Sequence, residues 1–476
     1  MEKIKSRYYA PAGYRELLKI AIPLILSTSA WSIQHFVDRM FLTWYSPESI
    51  AAAMPAGIFN FTIMTLFIGT ASYINTFVAQ YFGSKQFKNI GPIVWQGIYI
   101  AVIGGIVHLI LIPLAKPIFG FIGHEMEIQK LEIIYFQVLC LGAFPAIASS
   151  AFSSFFSGRG KTWPLMWINM IATLVNIVFD YFLIFGNGGF PEMGIRGAAI
   201  ATVLSGVVTF VIYTVIIVRP SFCKEYCTLS GYKPNLQLFK RLVYYGFPNG
   251  VQFFIDMAGF TAFLFIVGKL GQDSLAATNI TFNINNLAFM PMIGFGIAVS
   301  VMVGQYLGDN KPELAQKSAY SGFHVTIFYM STMVILYLGV PEMFIKPFMA
   351  GANNSEMVAI QKIVIVLIRF VAIYSIFDTF NIIFASAIKG AGDTRFVMRM
   401  LSVLSIVLLI IPSYLALIVL KQSIYVGWII VTVYIIALGI GFYLRFLGGK
   451  WKSMRVIETP PPGLPSHFAE TPTPDI

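Results

Sequence analysis

Four carboxylates stand inside long apolar runs of this sequence: Asp38, Asp180, Asp256 and Asp378. Each has a polar side chain four residues before it: Gln34, Asn176, Gln252 and Tyr374. That spacing puts the two members of a pair on one helical face. A face of carboxylate and amide oxygens can hold a hard cation, because such ions take oxygen ligands. It can equally hold a proton, because a carboxyl removed from water favours its neutral form. Thr202 can add a hydroxyl. A charge at the centre of a lipid-embedded helix costs about 2.5–3.5 kcal/mol on insertion scales, so such a residue faces a cavity or a partner. Each acid can instead belong to a structural ion pair, and Arg369 is a candidate partner for Asp256. A further polar face, Asn279, Asn283 and Asn286, suggests a cavity lining together with Gln34 and Gln252. Interhelical hydrogen bonding would explain the same asparagines. His35, His108 and His324 lack metal-ligand spacing and read as packing, with a proton relay as the alternative.

The elements that must position these residues are membrane helices. The chain of 476 residues is 57% hydrophobic and 11% charged, with a mean hydropathy of +0.76. Soluble domains are about 25% charged, so an ordinary soluble protein is excluded, as are disorder and a collagen-like repeat. A membrane-spanning helix needs about 20 apolar residues. Apolar runs predict twelve: 18–44, 50–82, 90–120, 128–157, 162–186, 194–218, 239–268, 274–307, 315–345, 356–388, 395–419 and 423–446. Most of the 32 Lys and Arg fall on the side that bears the N-terminus. The bias places both termini in the cytoplasm and accounts for the net charge of +11 without nucleic acid. Cys140, Cys223 and Cys227 make no disulfide framework and show no zinc-site spacing. No signal peptide is evident before the first run.

The two halves repeat each other. Pro23 matches Pro248, Ser49-Ile-Ala-Ala matches Ser274-Leu-Ala-Ala, and Gln80-Tyr81-x-Gly83 matches Gln305-Tyr306-x-Gly308, all at one constant offset. Gly158-x-Gly160-x-Thr162 matches Gly390-x-Gly392-x-Thr394 at a slightly larger one. The glycine stretches follow no strand and lack Walker spacing, so they read as tight turns rather than phosphate loops. The predicted fold is an all-α membrane protein: two parallel six-helix bundles related by a pseudo-two-fold axis, with a site between them. The expected divisions are 1–219, a linker at 220–240, 241–450, and a disordered cytoplasmic tail at 451–476, Pro-rich from about Glu458 onward, where no function is expected.

Twelve spans, parallel halves, Pro23, Pro248 and the Gln-Tyr-x-Gly repeats resemble the multidrug and toxic compound extrusion (MATE) transporters, over about residues 10–450, in particular their prokaryotic NorM-type branch. The resemblance implies cation-coupled export of organic cations and other xenobiotics by alternating access, with no cofactor beyond sodium or protons. It implies an N-terminal-half cation site at Asp38, Asn176 and Asp180 with Thr202. It implies a C-terminal-half site at Tyr374, Asp378 and Asp256, the last standing where that branch usually has Glu. Sodium can sit at either set. A monomer in the lipid of a prokaryotic inner membrane is implied as well. The rival readings are a lipid-linked precursor flippase of the same wider group and a membrane-embedded enzyme. The first would need a cationic cavity. The second would need a nucleophile with its base, or a metal motif, and neither is visible.

Overall fold

A computed structural model describes residues 7–349 and 355–458, and among these the chain is helical with no strand. Eleven helices are long and apolar enough to cross a membrane, and a bent pair makes a twelfth span. In chain order they are α1 (Tyr14–Tyr45), α2 (Pro47–Gly83), α3 (Phe87–Ile122), α4 (Met126–Leu141 and Ala143–Gly158, bent by 44°), α5 (Trp163–Phe185) and α6 (Ile195–Ile217). The second half holds α7 (Leu236–Gly268), α8 (Gln272–Gly308), α9 (Pro312–Gly339), α10 (Ala359–Ala391), α11 (Thr394–Val419) and α12 (Ile424–Leu447). These are the twelve predicted spans. The small differences lie at their ends, where α9 stops at Gly339 before a short helix, Pro341–Met349.

Local chemistry sets many of those ends. Ser46 caps α2, its Oγ accepting from the Ser49 N–H at 3.0 Å, with Pro47 at the first helical position. Asn235 does the same for α7 through the Leu238 N–H. Gly186 ends α5 with φ +71°, a conformation that a Cβ disfavours. The outward stripe of α1 is Ile22, Leu26, Ile33, Phe36 and Trp44, all exposed, as expected of a face that meets lipid. Two π-helical stretches, Ser405–Ile410 and Leu415–Val419, interrupt α11. Such stretches are rare and cluster at functional places.

Helices α1–α6 and α7–α12 form two lobes that meet through crossed contacts. Helix α1 packs on α8, and α2 packs on α7. These are the same contact related by the repeat. Close approach follows the same symmetry. Gly69 lies against Gly250, and the corresponding contact in the other half sets Gly294 against Ile25. A side-chain carbon on Gly83 would overlap the Gln305 backbone, and one on Gly308 would overlap the Gln80 backbone. Gln80 Nε2 donates to the Gly390 carbonyl at 3.0 Å, and Gln305 Nε2 donates to the Gly158 carbonyl at 2.8 Å. The glycine turns expected from the sequence are thus turns, with positive φ at Gly160 and Gly392, and each is held by the opposite lobe.

All these links lie at the end where α1 begins and α12 finishes, here termed the base. Among the described residues, every side-chain hydrogen bond between lobes lies at or below the level of Thr28, whose Oγ1 donates to the Met290 carbonyl at 3.2 Å. Above that level no side-chain hydrogen bond joins the lobes among the described residues, so the base is the end at which they are clasped, and the opposite end is termed the mouth.

The linker and the tail differ from expectation. Residues 220–240 contain a short helix, Pro220–Tyr226, and α7 already begins at Leu236. Residues 451–458 are not a loose tail. Trp451, Val456 and Ile457 are buried, because their apolar side chains join the large apolar cluster at the base. The rest of the expected tail, 459–476, lies outside the described residues.

Candidate functional site

In the first lobe, α1 brings Asp38 against α5, which carries Asn176 and Asp180. All three are buried. With its amide nitrogen turned inward, Asn176 donates to Asp38 Oδ1 at 2.7 Å and to Asp180 Oδ2 at 3.3 Å. Turned the other way, the amide would place its oxygen among the carboxylate oxygens. The same three side chains can therefore serve a shared proton or a hard cation, and only the amide rotates between the two. Asp180 Oδ1 is buried without a hydrogen-bond partner, which leaves one oxygen free for either ligand. The donor set fits sodium: two carboxylates and one amide. Thr202 lies on α6, which packs against α5, but its hydroxyl makes no hydrogen bond to the three among the described residues.

Two neighbours complete this site. His35 Nδ1 stands 4.0 Å from Asp38 Oδ2, with its side chain 44% exposed while that of Asp38 is 11% exposed. Tyr135, on the first segment of α4, lies within electrostatic reach of both Asp38 and Asp180. The one-turn spacing from His35 to Asp38 was visible in the sequence. Tyr135 comes from a distant segment and left no local signal.

In the second lobe, Asp378 accepts a hydrogen bond from Asn381 Nδ2 at 2.9 Å. Tyr374 is buried one turn away on α10. Asp256, on α7, is within electrostatic reach of Asp378 and of Lys389. Among the described residues neither Lys389 nor Arg369 forms an ion pair with Asp256 within 4.0 Å, though Lys389 is a cation near it. Lys389 sits near the base end of α10, and Nζ lies 5.7 Å from the Phe253 ring on the Asp256 helix. The Tyr434 hydroxyl, 2.8 Å from Ser405 Oγ, also lies within reach of both acids. Ser405 opens the first π-helical stretch of α11. Lys389, Asn381, Tyr434 and Ser405 extend the set read from sequence.

The space between the lobes has two walls. On α1, Trp31, His35 and Arg39 share the face of Thr28 and lie above it, beyond the last hydrogen bond to α8 among the described residues. On α8, Asn283 and Asn286 are exposed and Asn279 is half-buried, on the face of Met290. Asn283 Nδ2 donates to the Asn279 carbonyl at 2.8 Å. The asparagine face is thus accessible on α8, with one hydrogen bond inside the face. Gln34 and Gln252 are not. Both are buried, 8% exposed, and Gln252 Oε1 has no partner. Their positions turn them toward neighbouring helices, which an i, i+4 pairing alone does not reveal.

Comparison with known proteins agrees with this architecture. The MatE family model matches the chain twice, over residues 23–182 and 248–415. The chain is 26% identical over 450 residues to a probable multidrug resistance protein NorM of Thermotoga maritima, covering 94% of this chain and 95% of that protein. It is 29% identical over 394 residues to the multidrug resistance protein PmpM of Pseudomonas aeruginosa, covering 82% and 81%. Among solved structures, an outward-facing multidrug resistance MATE family transporter superposes with a TM-score of 0.84 at 18% identity, covering 95% of this chain and 99% of that one. A MOP superfamily transporter from Pyrococcus furiosus gives 0.83 at 19% identity, with the same coverage. At that identity the structures speak for the fold, and the family match, over more than half of the chain, speaks for kinship. The chain is a multi-pass membrane protein that belongs to the MatE family of transporters.

Proposed function

We propose that this transporter is a cation-coupled antiporter that exports organic cations and other xenobiotics. The observation that carries the reading is the buried triad of Asp38, Asn176 and Asp180, joined through one amide that can face either a proton or sodium. Binding there drives alternation only if the ion prefers one arrangement of the lobes over the other. His35 supplies the route: its half-exposed ring joins the open gap to the buried acid. Substrate enters the gap lined by Trp31, His35, Arg39 and the asparagines of α8. Asp256 and Asp378 bind its cationic end or share the ion's work.

The base is taken as cytoplasmic, because most Lys and Arg lie there. The protein would then sit as a monomer in the lipid of a cell inner membrane, with both termini inside. A flippase for a pyrophosphate-bearing lipid is the weaker alternative, because the triad is acidic where a pyrophosphate would need cations.

The test is export of a fluorescent organic cation from proteoliposomes under a sodium gradient and, separately, a pH gradient. Drive by either one is expected, and Asp38→Asn should abolish it. Export that ignores both gradients would overturn the coupling, and so would Asp38→Asn exporting as well as wild type under the same gradient.

A further inference from the structure

The segment following α12 is anchored on its own lobe. The Trp451 ring stacks on Phe446 at 4.9 Å and 14° between planes, and Nε1 donates to the Phe446 carbonyl at 2.8 Å. The Tyr245 hydroxyl donates to the Arg455 carbonyl at 3.4 Å. Glu458 is ion-paired with Arg241 on α7. From these anchors the segment reaches the other lobe twice. The Val456 N–H donates to Gln80 Oε1 at 2.8 Å, and the Tyr81 hydroxyl donates to Glu458 at 3.0 Å. Gln80 is thereby held on both sides of its amide, by the strap through oxygen and by the Gly390 turn through nitrogen.

The other end of the chain makes the corresponding link. The Tyr306 hydroxyl donates to Glu16 at 2.7 Å and accepts from the Ala12 N–H at 3.0 Å. Ser321 Oγ donates to the Ala12 carbonyl at 2.8 Å. Tyr81 and Tyr306 are equivalent in the repeat, and the position equivalent to Glu16 is Arg241. The second half thus lacks the acid that its partner tyrosine would meet. The chain supplies one from further on: Arg241 holds Glu458 where Tyr81 can reach it. A tail that merely packed would not restore the missing member of a symmetric pair.

We propose that Trp451–Glu458 is a latch that holds the base shut and must release Gln80 and Tyr81 whenever the base opens. It sets the balance between the base-closed and base-open arrangements, and so the rate at which the transporter alternates. The proposal rests on alternation of the lobes, and it holds whatever compound is exported.

The test uses the full chain in lipid nanodiscs, with its three cysteines replaced by serine and spin labels at Lys88→Cys and Glu313→Cys, exposed and repeat-equivalent positions on the two lobes at the base. The distance distribution is read with and without an exported cation and at several sodium concentrations and pH values. Glu458→Ala and Tyr81→Phe should each raise the ratio of base-open to base-closed protein about tenfold, as loss of one hydrogen bond to a charged group implies. The double variant should do no more than the larger single one, because both remove the same link. If a variant is poorly made, Arg241→Gln frees Glu458 from its other side and should shift the ratio the same way. The latch is overturned if wild type opens under some condition while these variants give the same ratio as wild type throughout. If the base never opens under any condition, alternation itself fails and the latch falls with it.

Discussion

The Asn176 amide is the most exposed to test among single residues. Replacing it with leucine keeps the volume and removes the group that joins Asp38 to Asp180. Each buried carboxylate oxygen left without a partner costs about 1–3 kcal/mol. Asn176→Leu should therefore lower gradient-driven export at least tenfold while the protein stays folded, as read by circular dichroism and proteoliposome flux. Asp378→Asn in the same assay assigns the lobes their work. A larger loss there than in Asn176→Leu would move the coupling site to the second lobe. A second residue-scale expectation concerns His35. His35→Phe preserves packing on Trp31, whose ring lies 4.5 Å away, but breaks the path to Asp38. It should slow proton-driven export and leave binding of an organic cation to the detergent-solubilised protein unchanged.

At the scale of the element, much of this was legible in the chain. Twelve apolar runs become twelve spans because lipid demands that the backbone satisfy itself within each helix. Asp38, Asn176 and Asp180 were legible because a charge inside an apolar run is conspicuous and the i, i+4 spacing is local. Tyr135, Lys389 and Tyr434 were not, because each meets the acids across a helix interface that no spacing along one helix encodes. The strap escaped for another reason. Trp451, Val456 and Ile457 are too few and too irregular for a helical period, and the Pro-rich stretch beyond them dominates the composition. Helix contacts at the base give a prediction of their own. Gly83→Val and Gly308→Val would each push a side chain into the backbone of the opposite lobe. Overpacking of this kind costs about 1–3 kcal/mol. Both variants should favour the base-open arrangement to a similar degree, seen as faster labelling of a cysteine placed at the seam. Unequal effects would mean that the two crossings do not share the load.

For the whole molecule, a clasped base is one of the two arrangements that the proposed alternation needs. Locking the base should stop the cycle without unfolding either lobe. A Cβ built on Gly304 lies 2.9 Å from that of Ala79 on the other lobe. Ala79→Cys with Gly304→Cys is close enough to bridge after a small adjustment. Oxidation of that pair, in protein lacking its native cysteines, should abolish export, and a reductant should restore it. Export that persists after complete oxidation would mean that the base does not part.

The crossed clasp at the base also bears on how two halves of one gene can drift apart. Gln80 holds a turn of the second half, and Gln305 holds a turn of the first. A change in either motif must therefore be answered in the opposite half. Mutations elsewhere can accumulate in one copy without regard to the other, but these few positions are tied together as if two separate proteins were under joint selection. Such a tie would keep the Gln-Tyr-x-Gly and Gly-x-Gly-x-Thr signatures readable in both halves. One break in that symmetry, Arg241 at the position of Glu16, is also the place where a residue from beyond the repeat, Glu458, stands in.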